Sequence, residues 1–195
     1  KSNYEKINIE AILKEYKIAG VVISNISQLE TFKNLKTIAN YTMNVMNNKS
    51  IKELESLGIK GYTVSPETDK NTILSLNGDI GMELIVYGRT LLMTTEYCAI
   101  GIYKNCPGTC EHGIFKLKDR MGFEFPIYTD RINCNNLIYN SKITSIEWKA
   151  FNPNTIRIDI LDETIEEINS IVNIHKQGKR LEGQNYTNGN LNKEI

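Results

Sequence analysis

The chain has few of the residues on which common hydrolytic sites depend. Its 195 residues include only two histidines, His112 and His175, and contain no His-Glu-x-x-His or Gly-x-Ser-x-Gly motif. Those motifs hold the metal-binding or nucleophilic groups of many peptidases and esterases at fixed spacings. The sequence therefore predicts neither a common metallopeptidase centre nor the nucleophile elbow of a serine hydrolase. His175 lies late in a predicted helix and is expected at the surface.

Net charge and long apolar runs are also missing. Lys plus Arg and Asp plus Glu both number 23, so the formal net charge is zero. Proteins that grip nucleic acid through its phosphates are usually basic, so an RNA partner would need a local patch or another part of a longer protein. No run reaches the roughly 18 apolar residues of a membrane span, and no signal-peptide pattern is seen. We expect no membrane partner and a cytoplasmic location.

The four cysteines of the chain are its most informative feature. Cys98, Cys106, Cys110 and Cys134 fall within 37 residues. Soft thiolates gathered in this way hold iron-sulfur clusters or zinc, and disulfides are rare in a reducing cytoplasm. The residues alone leave an iron-sulfur cluster, a structural zinc and uncoordinated thiols open, with His112 as a further zinc ligand.

The first ninety residues alternate between strand and helix patterns, which predicts a parallel sheet. Strands are predicted at residues 18–24, 36–41, 62–65 and 82–87, with helices at 28–35, 50–57 and 71–76 between them. The alternation resumes with a strand at 155–160 and a helix at 164–176. Segment 88–142 interrupts it with the cysteines and a hairpin, 115–118 with 123–128, and residues 179–195 read as a polar, mobile tail.

This order predicts an α/β fold, the C-terminal part of a (β/α)₈ TIM-like barrel formed by residues 1–178, with 88–142 as an insertion. A complete barrel needs about 250 residues, so we expect the first strands to be absent from this chain. An open barrel exposes sheet edges, which a second copy of the chain would cover as a homo-oligomer.

Polar residues at predicted strand ends are the candidates for chemistry, since active sites of this fold lie at the carboxyl ends of the strands. Strict alternation places Glu83, Tyr87 and Arg89 on one face of their strand. Glu83 and Arg89 could equally neutralise each other as a structural pair. Further polar candidates at strand ends, each of which could be only a cap or turn residue, are Asn44, Ser65, Glu67, Arg157 and Asp159.

Several motifs in order resemble the collagenase-like peptidase family U, number thirty-two, over residues 18–174. They are Asn40-Tyr-Thr-Met-Asn44, Val64-Ser-Pro-Glu67, Met82-Glu-Leu-Ile-Val-Tyr-Gly-Arg-Thr-Leu-Leu-Met93, the four cysteines, Leu117-Lys-Asp-Arg, Gly122-Phe-Glu-Phe-Pro126 and Ile138-Tyr-Asn-Ser141. A further motif, at residues 186–189, is followed by Asn190 where the family pattern continues with His.

The resemblance implies both a cofactor and a reaction. Cys98, Cys106, Cys110 and Cys134 would hold a 4Fe-4S cluster, and the enzyme would hydroxylate an RNA base or a small aromatic without oxygen, with prephenate as oxygen donor. Arg89 would grip the small carboxylate co-substrate, with Glu83 and Tyr87 beside it as catalytic residues. Two alternatives stay open: a collagenase-like protease, and a non-catalytic binding module stapled by zinc or another metal.

Overall fold

The computed structural model describes residues 12–13, 15–98, 115–130 and 134–192. The strands are β1 (Gly20–Ile23), β2 (Lys36–Ala39), β3 (Gly61–Thr63), β4 (Gly81–Gly88), β5 (Leu91–Thr95), β6 (Phe115–Lys118), β7 (Glu124–Asp130), β8 (Asn135–Tyr139), β9 (Ile143–Ser145), β10 (Thr155–Ile158) and β11 (Tyr186–Thr187). The α-helices are α1 (Gln28–Thr31), α2 (Asn48–Ser56), α3 (Lys70–Ser75) and α4 (Ile165–Lys176), and 3₁₀ turns cover Tyr41–Met43 and Lys149–Phe151.

A mainly parallel sheet is the centre of the fold. Strands β1, β2, β3, β4 and β10 lie side by side in this order, and every neighbouring pair among them is parallel. The helices α1, α2 and α3 lie in the connections, as parallel pairing requires a crossover. The predicted α/β class and its strand and helix alternation are therefore confirmed. None of the described helices is long and apolar enough to cross a membrane.

Local signals explain where the helices begin. The Asn47 side chain caps α2 by accepting a hydrogen bond from the Ser50 amide at 3.0 Å. Asp69 caps α3 in the same way through the amides of Asn71 and Thr72. Helix α4 starts with a capping box in which Thr164 and Glu167 satisfy each other's backbone N–H groups.

The core lies between the sheet and helices α2 and α3. Leu84 and Val86 of β4 are buried in one cluster with Ile51 of α2 and Ile73 of α3. This is the packing expected from the apolar face of β4, and removal of these side chains from water is the main term that stabilises the layer. The opposite face of β4 is left for polar groups.

The alternation of β4 is broken by a bulge. Arg157 and Ile158 are consecutive in β10 but pair with Ile85 and Tyr87, so β4 carries an extra residue between its paired positions. A bulge re-aims the side chains that follow it. Tyr87 consequently packs against α4, with its ring centroid 5.9 Å from that of His175, and the prediction that it shares a face with Glu83 is wrong.

The parallel sheet is strongly curved. Arg157 Nη1 of β10 donates a hydrogen bond of 3.0 Å to Asn40 Oδ1, just after β2. In a flat sheet these strands, separated by β3 and β4, would lie about 14 Å apart, with side chains standing perpendicular to the sheet. Contact between the two side chains requires the sheet to curl, with Asn40 and Arg157 on its concave face.

A second, antiparallel sheet lies between β4 and β9 in the chain. Its order is β5, β8, β7, β6, and it occupies the segment assigned to the insertion. The predicted hairpin is present as β6 and β7, and Asp119 Oδ1 closes its turn by accepting from the amides of Met121 and Phe123. Strands β5, β8 and β9 were not predicted from the sequence.

The C-terminal segment is also more structured than its composition indicated. Tyr186–Thr187 forms β11, which pairs in parallel with β9, and Leu191 packs against the main core. The Asn190 amide donates to the Pro66 carbonyl at 3.2 Å. A polar, mobile tail was expected from residue 179; in the structure its described part, to residue 192, lies against the parallel sheet.

Gly88 is the position at which the backbone most needs glycine. Its φ is +139°, and a Cβ there would lie 2.8 Å from both Cβ and the carbonyl oxygen of Asp159. Gly81, at the other end of β4, has no contact closer than 3.7 Å to such a Cβ. We expect Gly88→Ala to lower the free energy of unfolding by about 1–3 kcal/mol and Gly81→Ala to change it by less than about 1 kcal/mol, measured by urea denaturation. Equal effects of the two substitutions would contradict the close approach of β4 and β10.

Candidate functional site

A cavity of about 670 Å³ opens at the carboxyl ends of the parallel strands. The residues that follow β2, β3, β4 and β10 all contribute to its wall, as is usual for ligand sites in α/β folds. Its volume is within the usual range for small-molecule sites. Its apolar lining is formed by Val64, Ile73, Leu84, Ile85, Leu91, Leu92, Ile146 and Leu191.

The charged residues at this cavity are few. Arg89 follows β4, Asp159 follows β10 and Glu67 lies in the connection from β3 to α3. Asn44 and Ser65, also considered from sequence, line the same space. The structure therefore brings together five of the strand-end residues singled out from the sequence.

Arg89 has an unusual set of partners. Its Nη1 donates to the carbonyl oxygens of Asn140 at 2.9 Å and Ser141 at 2.6 Å, immediately after β8. Its Nε is buried and has no hydrogen-bond partner in the described structure. The pair with Glu83 considered from the sequence is not formed. A guanidinium held by neutral carbonyls keeps its full charge for a ligand.

Thr68, which lines the cavity, carries a second unsatisfied group. The residue is only 2% exposed, and its Oγ1 has no hydrogen-bond partner among the described residues. A buried hydroxyl without a partner is costly, because the group loses its hydrogen bonds to water. Thr68 and Arg89 therefore supply two unused hydrogen-bonding groups in the wall of one cavity.

Arg157 organises the concave face beside the cavity. Its Nε donates to Asp159 Oδ1 at 2.6 Å, and its guanidinium lies 6.0 Å from the centre of the Tyr41 ring. Glu83 lies below it: Oε1 accepts from Thr63 Oγ1 at 2.8 Å and is 3.9 Å from Arg157 Nη1. Glu83 does not itself line the cavity; it belongs to the supporting polar layer.

Tyr41 lines the cavity beside this layer. Burial raises the pKa of its phenol, the nearby Asp159 carboxylate adds to the increase, and Arg157 opposes it. The phenol accordingly remains protonated at neutral pH and can donate a hydrogen bond.

Tyr87 belongs to a different cluster. Its hydroxyl donates to Glu163 Oε1 at 2.9 Å, and burial followed by this bond raises the pKa of Tyr87 strongly. Glu163 Oε2 accepts from the amides of Leu161 and Asp162. Tyr87 is not part of the cavity wall, so its predicted catalytic role has no support from its position.

His175 is fully buried next to Tyr87, which corrects the expectation of a surface residue. Its Nε2 lies 3.4 Å from Ser145 Oγ, which also accepts from the Leu181 amide. Its Nδ1 has no partner in the described structure. Burial lowers the pKa of the imidazole.

Cys98 and Cys134 lie at one end of the antiparallel sheet. Cys98 follows β5, Cys134 precedes β8, and these strands pair with Thr95 opposite Asn136. Strand β6 also begins toward this end. Cys134 has φ +54°, a strained conformation for a residue other than Gly or Asn.

The other two thiols, Cys106 and Cys110, lie outside the described residues, as does His112. Within the described part, no group of three or more His, Cys, Asp or Glu side chains could hold a metal ion. The cavity lies at the opposite end of β5, because Leu91 lines it and Thr95 is nearest the cysteines.

Sequence reasoning missed Thr68, Tyr41 and Glu163. Each lies in an irregular connection, where a single polar residue reads as a turn or cap. One available signal was position, since Tyr41 ends one predicted strand and Thr68 follows another within a few residues.

Comparisons with models of protein families, with curated proteins and with solved structures found no match to this chain. Function is therefore inferred from the geometry of the cavity and the placement of the cysteines.

Two buried threonines provide a matched test of the unsatisfied hydroxyl. Thr63 donates to Glu83, whereas Thr68 has no partner in the described structure. We expect Thr63→Val to lower the free energy of unfolding by about 1–3 kcal/mol, and Thr68→Val to leave it unchanged or higher. Urea denaturation measures both. A larger loss for Thr68→Val would show that its hydroxyl has a structural partner.

The buried imidazole predicts a pH dependence of stability. Because the pKa of His175 is lower in the folded state, the unfolded chain takes up the proton first as the pH falls. The neutral ring's contribution is therefore fully present above about pH 6.5 and is lost below it, by at most about 1.4 kcal/mol per pH unit. His175→Phe should flatten this slope between pH 7 and pH 5 in urea denaturation. An unchanged slope in the variant would assign the dependence to other groups.

Proposed function

We propose that this protein is an iron-sulfur enzyme, or part of one, which binds a small carboxylate co-substrate in the cavity. The observation that carries the proposal is Arg89, which lines the cavity, with its Nε buried and without a partner in the described structure. A guanidinium matches a carboxylate in geometry and charge. The two carbonyls that hold Nη1 orient the group without neutralising it.

The Thr68 hydroxyl supports the same assignment. Carboxylate oxygens accept several hydrogen bonds, so a ligand bound to Arg89 could also satisfy this buried hydroxyl. The apolar wall would cover the rest of the ligand and exclude water, which strengthens the ion pair. Tyr41 would add a further donor.

The curved sheet fits the larger proposal of a TIM-like barrel. In the described structure the outer edges of β1 and β10 are unpaired, and the side chains of Asn40 and Arg157 meet across the concave face. Further strands would join these edges and close the barrel. They would come from another part of a longer protein, or the edges would be covered by a second copy.

The cysteine end of the antiparallel sheet fits a thiolate-bound 4Fe-4S cluster. Cys98 and Cys134 lie at one end of the paired strands β5 and β8, and β6 begins toward the same end. When bound, such a cluster supplies one-electron chemistry. The alternative of zinc remains, since the same four thiolates suit both metals.

The proposed reaction is oxygen-independent hydroxylation of an RNA base or small aromatic in the cytoplasm, as the family resemblance implies. Arg89 would bind and orient the carboxylate, with Glu83 holding the Thr63 and Arg157 layer beneath it. No structural observation favours the peptidase alternative. The Ser145 and His175 pair that could suggest it is buried, at 1% and 0% exposure.

Metal content tests the proposal directly. The intact protein, purified without oxygen, should contain about four iron and four sulfide per chain. Cys98→Ser and Cys134→Ser should each remove most of both, while Glu96→Gln, an exposed neighbour of Cys98, should remove none. One zinc per chain with no iron would overturn the cluster assignment, and full iron in the serine variants would exclude these cysteines as ligands.

A further inference from the structure

Two residues of opposite charge lie side by side at the cavity without pairing. Arg89 and Asp159 follow the neighbouring strands β4 and β10, and Gly88 approaches Asp159 so closely that a Cβ would lie 2.8 Å from it. Among the described residues, however, Asp159 forms its ion pair with Arg157, and Arg89 donates to carbonyls. Both line the same cavity.

Each of these residues keeps hydrogen-bonding capacity. Arg157 engages Asp159 Oδ1 at 2.6 Å, and Oδ2 has no partner in the described part of the chain. Arg89 keeps Nε unused. The wall therefore offers a cationic donor, Arg89, and an anionic acceptor, Asp159, at the ends of adjacent strands. Because adjacent strands lie about 4.8 Å apart, one small molecule can reach both groups.

We infer that the ligand of this cavity is a small acid which carries, next to its carboxylate, a hydrogen-bond donor that binds Asp159. The carboxylate would bind Arg89 and Thr68, and the donor is a hydroxyl or an ammonium group, as in α-hydroxy or α-amino acids. This inference rests on the proposed carboxylate site and narrows its substrate class. It departs from prephenate, in which neither carboxylate has a hydroxyl or ammonium group next to it.

The alternative of a plain carboxylic acid fits the wall less well. Such a ligand would leave Asp159 Oδ2 without a donor, because Arg157 engages only Oδ1, and covering this oxygen with the ligand would remove its access to water without replacing that hydrogen bond. A cationic ligand without a carboxylate would leave the buried Arg89 Nε unsatisfied for the same reason. Only a ligand with both groups satisfies both sides.

The test uses four ligands that share a phenylethyl skeleton, with the intact wild-type protein. They are 3-phenylpropionate, 3-phenyllactate, phenylalanine and phenethylamine, whose ring suits the apolar wall, and affinity is measured by calorimetry. We expect phenyllactate or phenylalanine to bind roughly tenfold or more tightly than phenylpropionate, and phenethylamine to bind weakest. The tighter of the first two identifies hydroxyl or ammonium as the donor. Equal affinity for all three acids would overturn the inference.

Variants separate this inference from the proposal beneath it. Asp159→Ala should abolish the preference for the donor-bearing acids while phenylpropionate still binds, and Asp162→Ala, an exposed neighbour, should preserve it. Arg89→Gln should weaken all three acids. If the acids bind through Arg89 without any preference, the inference fails and the carboxylate site stands; if none of them binds, both fail. Because the ligand series uses the wild-type protein, the result does not depend on the folding of a variant.

Discussion

The hydrogen bond between Arg157 and Asn40 is the constraint on which the rest of the site depends. It joins the end of β2 to β10 across two intervening strands, and it is compatible only with a curved sheet. Curvature turns the strand ends toward one another and makes a cavity where a flat sheet would present an open edge. The same guanidinium also fixes Asp159, so one side chain sets both the shape of the wall and the position of its carboxylate.

Burying the polar layer of the concave face costs desolvation free energy, which its hydrogen bonds and ion pairs largely offset. Glu83 has a side-chain exposure of only 18%, and charge at this depth is tolerated when it is paired and hydrogen-bonded. Thr63 and Arg157 provide those contacts. The contrast with Arg89 and Thr68 is informative, because these two cavity residues have donors that no described protein group satisfies. Two of the four buried side-chain atoms without a partner in the described residues belong to this cavity, and the other two are Asn136 Oδ1 and His175 Nδ1. An unsatisfied polar group in a cavity wall is typical of a binding site, where a ligand completes it.

Most regular elements of the parallel layer could be predicted from the sequence, because their apolar spacing and caps are local signals. Asn47, Asp69 and Thr164 mark helix starts that the structure places within two residues of the prediction. The bulge at Val86 was not predictable from the sequence, because β4 reads as an unbroken alternation. Val86 is an extra residue only in the pairing with β10, which the sequence of β4 does not specify. The same holds for β5 and β11, short strands whose partners are distant in sequence. Likewise, Arg89 was singled out by its place after a strand, whereas the roles of Thr68 and Arg157 depend on which side chains the curvature brings together.

Strand β8 links the cysteine end of the antiparallel sheet to the cavity. Cys134 precedes it directly, and Asn140 and Ser141, whose carbonyls hold Arg89, follow it directly. Five residues of extended chain, about 17 Å, therefore separate a thiol from the oxygens that aim the guanidinium. A slip of one residue in the pairing of β8 would carry those oxygens about 3.4 Å along the strand and release Arg89. Any group that fixes Cys134 therefore also fixes the register of β8, and with it the position of the Arg89 guanidinium in the cavity wall.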